Sequence, residues 1–207
     1  MARTTDRADA AHAEHFHLVG GRLALDFVNT ADWADRKRDE EEAGRRSESI
    51  EREHLETPAD LRRWVRTVGL NGMTDGADGA VLAEMRSFRA HLREVLTSAL
   101  EDRSANEVAR RAVAVALQQA STGTPIAPVS APPRTDGTLA LKAALAVSAL
   151  AVLTDRREID RVKMCEGSNC GWLFVDESRG RNRRWCRMET CGNRAKARRH
   201  YRARSGT

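Results

Sequence analysis

Apolar side chains recur at helical spacing through much of the chain. Between residues 80 and 102 they stand three or four positions apart, which predicts a long amphipathic helix with one apolar stripe, formed by Val81, Met85, Phe88, Leu92, Val95 and Ala99. A shorter helix is expected before it, because Thr57 can act as an N-cap, Pro58 suits the first helical position and Gly69 can end the helix. The pattern therefore predicts a body built mainly from helices.

Two more helices are expected farther along the chain. Ser104 can cap the first, which covers residues 105–120, and a proline-rich break over residues 122–137 follows it. The second runs over residues 139–155 and is apolar on nearly every side, so we expect it at the centre of the body. Its apolar run contains Lys142 and is shorter than the roughly 20 residues of a membrane span, so no membrane partner is predicted.

Extended structure is predicted at only a few places. The glycines at positions 20–21 separate two short apolar runs, which is typical of a tight β-hairpin turn, and residues 23–30 after them favour a short helix. Residues 35–56 are almost all charged and predict a solvated connector. Val162 and Met164 alternate with charged residues and predict a short strand.

Composition and charge divide the chain into parts. Aromatic residues make up only 4% of it, so the core must be built mostly from Ala, Leu and Val, which favours helices. Residues 1–14 are polar and aperiodic and are predicted to be disordered. Residues 1–160 carry 22 basic and 26 acidic side chains, a net charge of −4, whereas residues 161–207 carry 13 and 4, a net charge of +9. We therefore predict a mainly α protein with two domains. Residues 15–160 form a helical N-terminal domain that includes a small β-hairpin, and residues 161–207 form a basic C-terminal domain.

All four cysteines lie in the basic C-terminal part, spaced Cys165-x4-Cys170-x15-Cys186-x4-Cys191. Two close pairs separated by a short loop are typical of a tetrahedral metal site, and Zn²⁺ is the usual ion for four thiolates. Because protein ligands would fill all four positions, we expect one structural zinc ion rather than a catalytic one. A segment this small has no core of its own, so metal binding should be what folds it.

Other uses of four cysteines remain open. An iron–sulfur cluster also takes four thiolates, and two disulfides or four free thiols are further possibilities. The N-terminal residues lack the apolar segment of a signal peptide, so we expect a cytoplasmic protein in which thiols stay reduced, and this disfavours disulfides.

Between and after the cysteine pairs, the sequence predicts the rest of a small treble-clef-like zinc finger. Trp172, Phe174 and Trp185 can cover the metal site, and the segments WLFVD and RRWC suggest two paired strands. Residues 193–204 are rich in Ala and Arg and predict a helix that follows the last ligand.

The arginines of this part suggest a surface that binds nucleic acid. Zn²⁺ with four thiolates has a charge of −2, which leaves +7 of the segment's +9 unexplained by neutralisation of the site. The helix over residues 193–204 is basic on nearly all sides, as suits a helix inserted between phosphates. The candidate contacts are Arg179, Arg181, Arg183, Arg184, Arg194, Lys196, Arg198, Arg199 and Arg202, with Arg194 and Lys196 the expected base readers and the others expected at phosphates.

Two stretches also carry a family resemblance. The last cysteine pair ends in CGNR (Cys191–Arg194) and, with the first pair, the WLF segment and NRRWC, closely resembles the CGNR zinc-finger family. The segment HLVGGRLALDFVNT over residues 17–30 resembles the opening of the ABATE domain that usually precedes that finger. The resemblance implies the same four cysteine ligands and a stress-responsive bacterial transcriptional regulator. The charged insert at residues 35–56 is longer than the family needs.

These observations lead to one main hypothesis and one alternative. The main hypothesis is a zinc-dependent DNA-binding transcriptional regulator whose N-terminal domain senses a small-molecule effector or forms a homodimer. Asp26 and Asn29 could bind such an effector, although such residues also commonly brace local structure. The alternative is an RNA- or ribosome-associated zinc module in which Trp172, Phe174 and Tyr201 stack on bases. No enzymatic activity is expected, because the sequence has no phosphate-binding loop, nucleophile motif or carboxylate–histidine cluster.

Overall fold

The structure is a computed structural model that describes residues 16–33, 50–70, 77–123 and 137–205. The predicted disorder over residues 1–14, most of the charged connector and nearly all of the proline-rich break lie outside the described residues. In chain order the elements are α1 (Leu23–Val28), β1 (Ala31–Trp33), β2 (Ile50–Glu53), α2 (Pro58–Thr67), α3 (Gly79–Leu100), α4 (Glu107–Gly123), α5 (Thr138–Thr154), α6 (Arg156–Ile159), β3 (Val162–Met164), β4 (Leu173–Val175), a π-helical turn (Met188–Gly192) and α7 (Asn193–Ser205). The protein is mainly α, as predicted.

Side-chain caps set the starts of the long helices. Thr57 caps α2 as predicted, because its hydroxyl accepts from Asp60 N while the Asp60 carboxylate accepts from Thr57 N at 2.7 Å. The carboxylate of Asp78 accepts from the first N–H groups of α3. The predicted cap Ser104 is wrong for α4: Asn106 Oδ1 accepts from Ala109 N at 2.9 Å, so the helix begins two residues later.

The small β-hairpin of the N-terminal domain is present but not where it was predicted. The glycines at positions 20–21 do not turn a hairpin, because the Asp26 carboxylate accepts from Gly20 N at 2.7 Å and holds this segment against the start of α1. The antiparallel pair is instead β1 with β2, with Ala31 opposite Glu53. Residues 50–53 of the predicted connector are therefore a strand.

The buried face of α3 differs from the predicted stripe. Met85, Phe88 and Leu92 are buried as expected, but Ala99 is exposed and Leu96 continues the apolar face. Two arginines share that face, since Arg89 and Arg93 are 0% and 1% exposed. The stripe was incomplete because a buried arginine looks like a surface residue in sequence.

Helices α1 to α5 enclose one apolar core. Leu141, Leu145 and Val152 of α5 are fully buried in it, but Val147 and Leu150 are 48% and 43% exposed. The expectation that α5 is enclosed on all sides is therefore only partly met. Along the stretches that the structure covers, no helix is both long and apolar enough to cross a membrane.

The C-terminal part is packed into this same core. Val162 from β3 and both Leu173 and Val175 from β4 belong to the apolar cluster formed by the helices. Strands β3 and β4 are antiparallel, with Val162 opposite Val175 and Met164 opposite Leu173. The finger therefore completes the core of the helical body instead of standing apart from it.

Residues 170–175, which we call the docking segment, attach the finger to the body through backbone hydrogen bonds. Trp33 N donates to Cys170 O at 3.1 Å, and Val175 N donates to Gly20 O at 3.0 Å. Between these two bonds, the buried Asn29 side chain accepts from Leu173 N and donates to Leu173 O, both at 2.8 Å. The Asn29 amide thus bonds both backbone groups of Leu173, as a neighbouring β-strand would do.

We predict that Asn29→Ala destabilises the whole protein. The change leaves a buried N–H and a buried C=O of Leu173 without partners, each of which costs about 1–3 kcal/mol. Urea unfolding should show a loss of at least ~2 kcal/mol in a single transition. The control is Asn182→Ala, which removes the same group from an exposed position. Equal stability of the two variants would contradict the bracing role.

Candidate metal centre and nucleic-acid interface

The four cysteines converge on one buried point. Cys165 and Cys170 lie in the loop that joins β3 to β4, Cys186 lies in the irregular segment after β4, and Cys191 lies in the π-helical turn before α7. All four are buried, and their sulfur atoms lie within 4.8 Å of one another. The spacing argument therefore identified a group of side chains that could hold one metal ion.

The distances suit a tetrahedral thiolate site. The Sγ atoms of Cys170 and Cys186 are 3.6 Å apart, and those of Cys186 and Cys191 are 3.7 Å apart. Four sulfurs at about 2.3 Å from a central ion would be roughly 3.8 Å from each other. A disulfide would need about 2.05 Å, and all four cysteines are free. The disulfide alternative is therefore wrong for this structure.

The backbone around the cysteines stabilises sulfur in its charged form. Gly167 N and Cys186 N donate to Cys165 Sγ at 3.4 and 3.3 Å. Hydrogen bonds among the four thiols lower the pKa of Cys165 and Cys191 and raise that of Cys170 and Cys186. Metal binding needs deprotonated thiols, so the two N–H groups that donate to Cys165 Sγ favour the metal-bound form.

Apolar side chains cover the centre as predicted. Phe174 is fully buried against the cysteines, and Trp172 and Trp185 pack on the same cluster. The segment RRWC, however, is not a strand, because β4 pairs with β3 instead. The finger is thus a β-hairpin that carries the first cysteine pair at its turn, followed by a helix that begins two residues after the last cysteine.

Arg183 and Arg184, which the sequence predicted as nucleic-acid contacts, are bonded to groups around the metal centre. Arg183 donates from Nε to Trp185 O at 3.0 Å and from Nη2 to Cys186 O, and its guanidinium lies 4.2 Å from the centre of the Phe174 ring. These bonds give Arg183 a structural role beside the metal ligands. Arg184 forms an ion pair with Glu166 at 2.5 Å.

The remaining candidate arginines lie on an exposed surface. Arg179 and Arg181 belong to a loop held by the buried Asp176, which accepts from Ser178 N at 3.0 Å and Arg183 N at 2.9 Å. On α7 the Arg198 guanidinium donates to Ser168 Oγ. Every residue of α7 from Lys196 to Arg204 is exposed. The helix has six cations and no acid: Arg194, Lys196, Arg198, Arg199, Arg202 and Arg204.

The aromatic residues of the RNA alternative are mostly unable to stack on bases. Phe174 is 0% exposed, and half-buried Trp172 donates from Nε1 to Ala31 O at 3.0 Å. Tyr201 is 68% exposed, so it is the one member of this predicted trio that lies at the surface. The structure therefore provides no stacking platform of the predicted kind.

The two residues predicted to bind an effector, Asp26 and Asn29, have structural roles. The buried Asn29 amide is bonded to Leu173 through both its nitrogen and its oxygen, which gives it a bracing role. The half-buried Asp26 carboxylate accepts from Gly20 N. Burial raises the pKa of Asp26 to about 6, although the backbone N–H groups of Gly20 and Val19 act against that rise.

Sequence reasoning missed two arginines that position the centre. Arg93 Nη1 donates to Gly171 O at 2.8 Å, and its guanidinium lies 4.2 Å from the centre of the Trp33 ring. One turn earlier, Arg89 donates to Thr30 O at 3.1 Å and forms a buried ion pair with Glu53. The only sequence signal was their spacing of four residues beside the apolar stripe of α3.

Comparison with protein families agrees with a helical domain followed by a four-cysteine finger. The model of the ABATE family, described as "Putative stress-induced transcription regulator", matches residues 21–156, and that of the CGNR zinc finger matches residues 161–204. The first match covers more than half of the chain, so the protein belongs to the ABATE family and ends in a CGNR zinc finger. No curated protein matches the chain.

We predict that Gly167→Ala weakens metal binding at least tenfold. A Cβ atom at this position would lie 2.8 Å from Cys191 Sγ and 3.3 Å from Cys165 Sγ, so it would push the ligands apart. Competition with a chromogenic chelator measures the affinity. The control is Gly180→Ala, where the nearest heavy atom would be 3.4 Å away on the Asn182 side chain. Unchanged affinity in Gly167→Ala would contradict a site formed by these sulfurs.

We predict that Asp26→Asn stabilises the protein at neutral pH. Because the pKa of Asp26 is raised from 3.8 to about 6, the folded state binds this proton more tightly than the unfolded state. Its contribution to stability is present below pH 4 and is lost as pH rises through 6, at most about 3 kcal/mol. The amide keeps an acceptor for Gly20 N and has no charge to bury.

Thermal unfolding from pH 4 to 8 tests this sign. The Asp26→Asn variant should gain over the native protein as pH rises, whereas Asp102→Asn, an exposed control, should not. A gain of Asp26→Asn that is the same at pH 4 and pH 8 would contradict the linkage.

Proposed function

We propose that this protein is a transcriptional regulator that binds duplex DNA through α7, with one structural zinc ion holding the finger. The observation that carries the proposal is the exposure of α7, whose side chains from Lys196 to Arg204 are all exposed and include no acid. Its 13 residues form a rod of roughly 20 Å, and the DNA major groove is about 12 Å wide and accepts one helix. Family membership supports the regulatory role.

Several positively charged side chains of α7 are not neutralised by acids of the described residues and can therefore contact phosphates. Within the described part of the chain, Lys196, Arg199 and Arg202 have no carboxylate partner within ion-pair distance. An exposed cation that neutralises a phosphate releases a condensed counterion, so affinity should depend steeply on salt. We propose that Arg179, Arg181 and Arg198 also contact phosphates and that Arg194 and Lys196, at the start of α7, read bases. This role needs no chemical step, so we propose a protein without enzymatic activity.

Zinc accounts best for the donor set. Four thiolates in a buried tetrahedral arrangement favour Zn²⁺, which has no geometric preference of its own and no redox chemistry to control. With all four positions taken by protein, the ion leaves no place for water or substrate. Its role is to fix the hairpin and α7 as one unit. Homodimer formation and a cytoplasmic location remain predictions of the sequence.

We predict that Arg199→Gln with Arg202→Gln weakens DNA binding and lowers its salt dependence. Loss of two phosphate contacts should reduce the slope of log affinity against log salt by about 2, at similar cost for every DNA sequence. Fluorescence anisotropy with a random-sequence duplex between 50 and 200 mM salt measures this.

The matched control removes the same charge elsewhere. Arg110 and Arg111 on α4 are exposed, and changing both to Gln should leave the slope unchanged. Equal losses in both double variants would show a general charge effect and contradict the assignment to α7. Tighter binding to single-stranded RNA than to duplex DNA would favour the RNA alternative. Retention of DNA binding after complete zinc removal would contradict the zinc requirement.

A further inference from the structure

A cleft of about 210 Å³ lies where the helical body meets the finger. One wall comes from the body, with Phe16, Asp26, His54 and Trp64, and the other comes from the finger, with Trp172 and Arg187. Drug-sized pockets usually measure about 300–1,000 Å³, so this cleft fits a molecule no larger than a single ring with a short substituent. Its lining also includes the metal ligands Cys170, Cys186 and Cys191 and the proposed base reader Arg194, so the cleft adjoins the metal centre and the start of α7.

Three of the five acidic side chains on the walls are paired within the protein. The Asp32 carboxylate is paired with His54 at 3.2 Å, and the Asp60 carboxylate with Arg63 at 2.6 Å. Glu53 accepts from Arg89 at 2.7 Å. A cationic ligand would have to compete with these partners, so the acids do not define a cation site.

Two buried donors on the walls are in the opposite situation. Trp64 is 0% exposed, and its Nε1 has no hydrogen-bond partner among the described residues. The same holds for the buried Nη1 atom of Arg187. An unsatisfied buried donor costs about 1–3 kcal/mol, so a ligand oxygen that accepts a hydrogen bond from either donor would remove that cost.

The other indole groups nearby show that this is specific to Trp64. Trp33 Nε1 donates to Val28 O at 3.0 Å, and Trp172 Nε1 donates to Ala31 O at 3.0 Å. Buried tryptophans normally find such a partner. Trp64 packs on Phe27 with ring centres 5.0 Å apart, so its ring is well placed while its N–H is not used.

We propose that the cleft binds a small aryl carboxylate. Its oxygen atoms accept from Trp64 Nε1 and Arg187 Nη1, and its ring lies between the aromatic side chains of Phe16 and Trp172. A carboxylate matches one cationic and one neutral N–H donor, and a flat ring matches walls that are aromatic on both sides. The volume limits the ligand to one ring.

Such a ligand would bridge the two parts of the protein. Trp64 belongs to α2 of the body, whereas Arg187 is bonded in sequence to the metal ligand Cys186 and precedes the turn that leads into α7. Occupancy would therefore change how firmly the finger is held. Regulation of DNA binding by the ligand rests on the proposed function, whereas binding itself does not.

The zinc-loaded full chain, labelled with ¹⁵N, tests the binding. The four tryptophans give four indole N–H signals, which Trp→Phe variants assign. Titration with benzoate or phenylacetate should shift the Trp64 signal downfield and saturably, while the bonded indoles of Trp33 and Trp172 shift less. Absence of a saturable Trp64 shift with both acids overturns the proposal, as does binding of benzamide as tight as that of benzoate.

Two variants and a control separate the site from general effects. Trp64→Phe keeps an aromatic ring without the donor and should weaken benzoate binding about tenfold or more, as should Arg187→Gln. Trp185→Phe, on the finger but outside the cleft, should bind as the native protein does. Zinc content and thermal unfolding verify that each variant is folded. If Trp64→Phe binds benzoate with native affinity, the proposal is wrong.

DNA binding is measured separately, with and without saturating benzoate. A native protein that binds benzoate through Trp64 but binds no DNA supports the cleft and contradicts the proposed function. A protein that binds DNA but shows no Trp64 shift contradicts the cleft alone.

Discussion

The fold depends on how the backbone of the docking segment is satisfied. Residues 170–175 pass between the metal centre and the helical core, where water cannot serve as their partner. The body supplies what they need from four places: the strand at Trp33, the amide of Asn29, the guanidinium of Arg93 and the carbonyl of Gly20. Trp33, Asn29, Arg93 and Gly20 are all buried. The body and the finger therefore satisfy each other's buried hydrogen-bonding groups. For this reason we expect the ABATE region and the zinc finger to fold as one cooperative unit.

Features of the fold and the site could be predicted from the sequence when the interacting residues lie close together along the chain. The cysteines and the cap Thr57 are recognised by spacing over a few tens of residues, and both predictions are confirmed in geometry. The hairpin at positions 20–21 was wrong because local glycine preference lost to a carboxylate six residues away. Arg89 and Arg93 could not be recognised, since their partners lie 36 and 78 residues from them in sequence.

The structure separates the arginines of the finger into those bonded within the protein and those exposed to solvent. Arg183 and Arg184 look like the exposed arginines of α7 in sequence, yet one is spent on carbonyl groups beside Cys186 and the other on Glu166. Lys196, Arg199 and Arg202, which have no carboxylate partner among the described residues, lie on a helix that begins two residues after the last cysteine. Cys186, Arg187, Cys191 and Arg194 all line the cleft, so the cleft adjoins both the metal centre and the start of the basic helix.

Gly171 gives the docking a further consequence. Its φ of +58° is in the left-handed region, and a Cβ there would lie 2.9 Å from Trp33 Cβ. Its carbonyl is also the acceptor for Arg93, so this one residue closes the core from the C-terminal side. Because a ribosome makes the helical body before residues 161–205, Asn29 and Arg93 meet Leu173 and Gly171 only after the docking segment has left the exit tunnel. Until then the apolar core lacks the side chains of β3 and β4, so this core is completed late in synthesis.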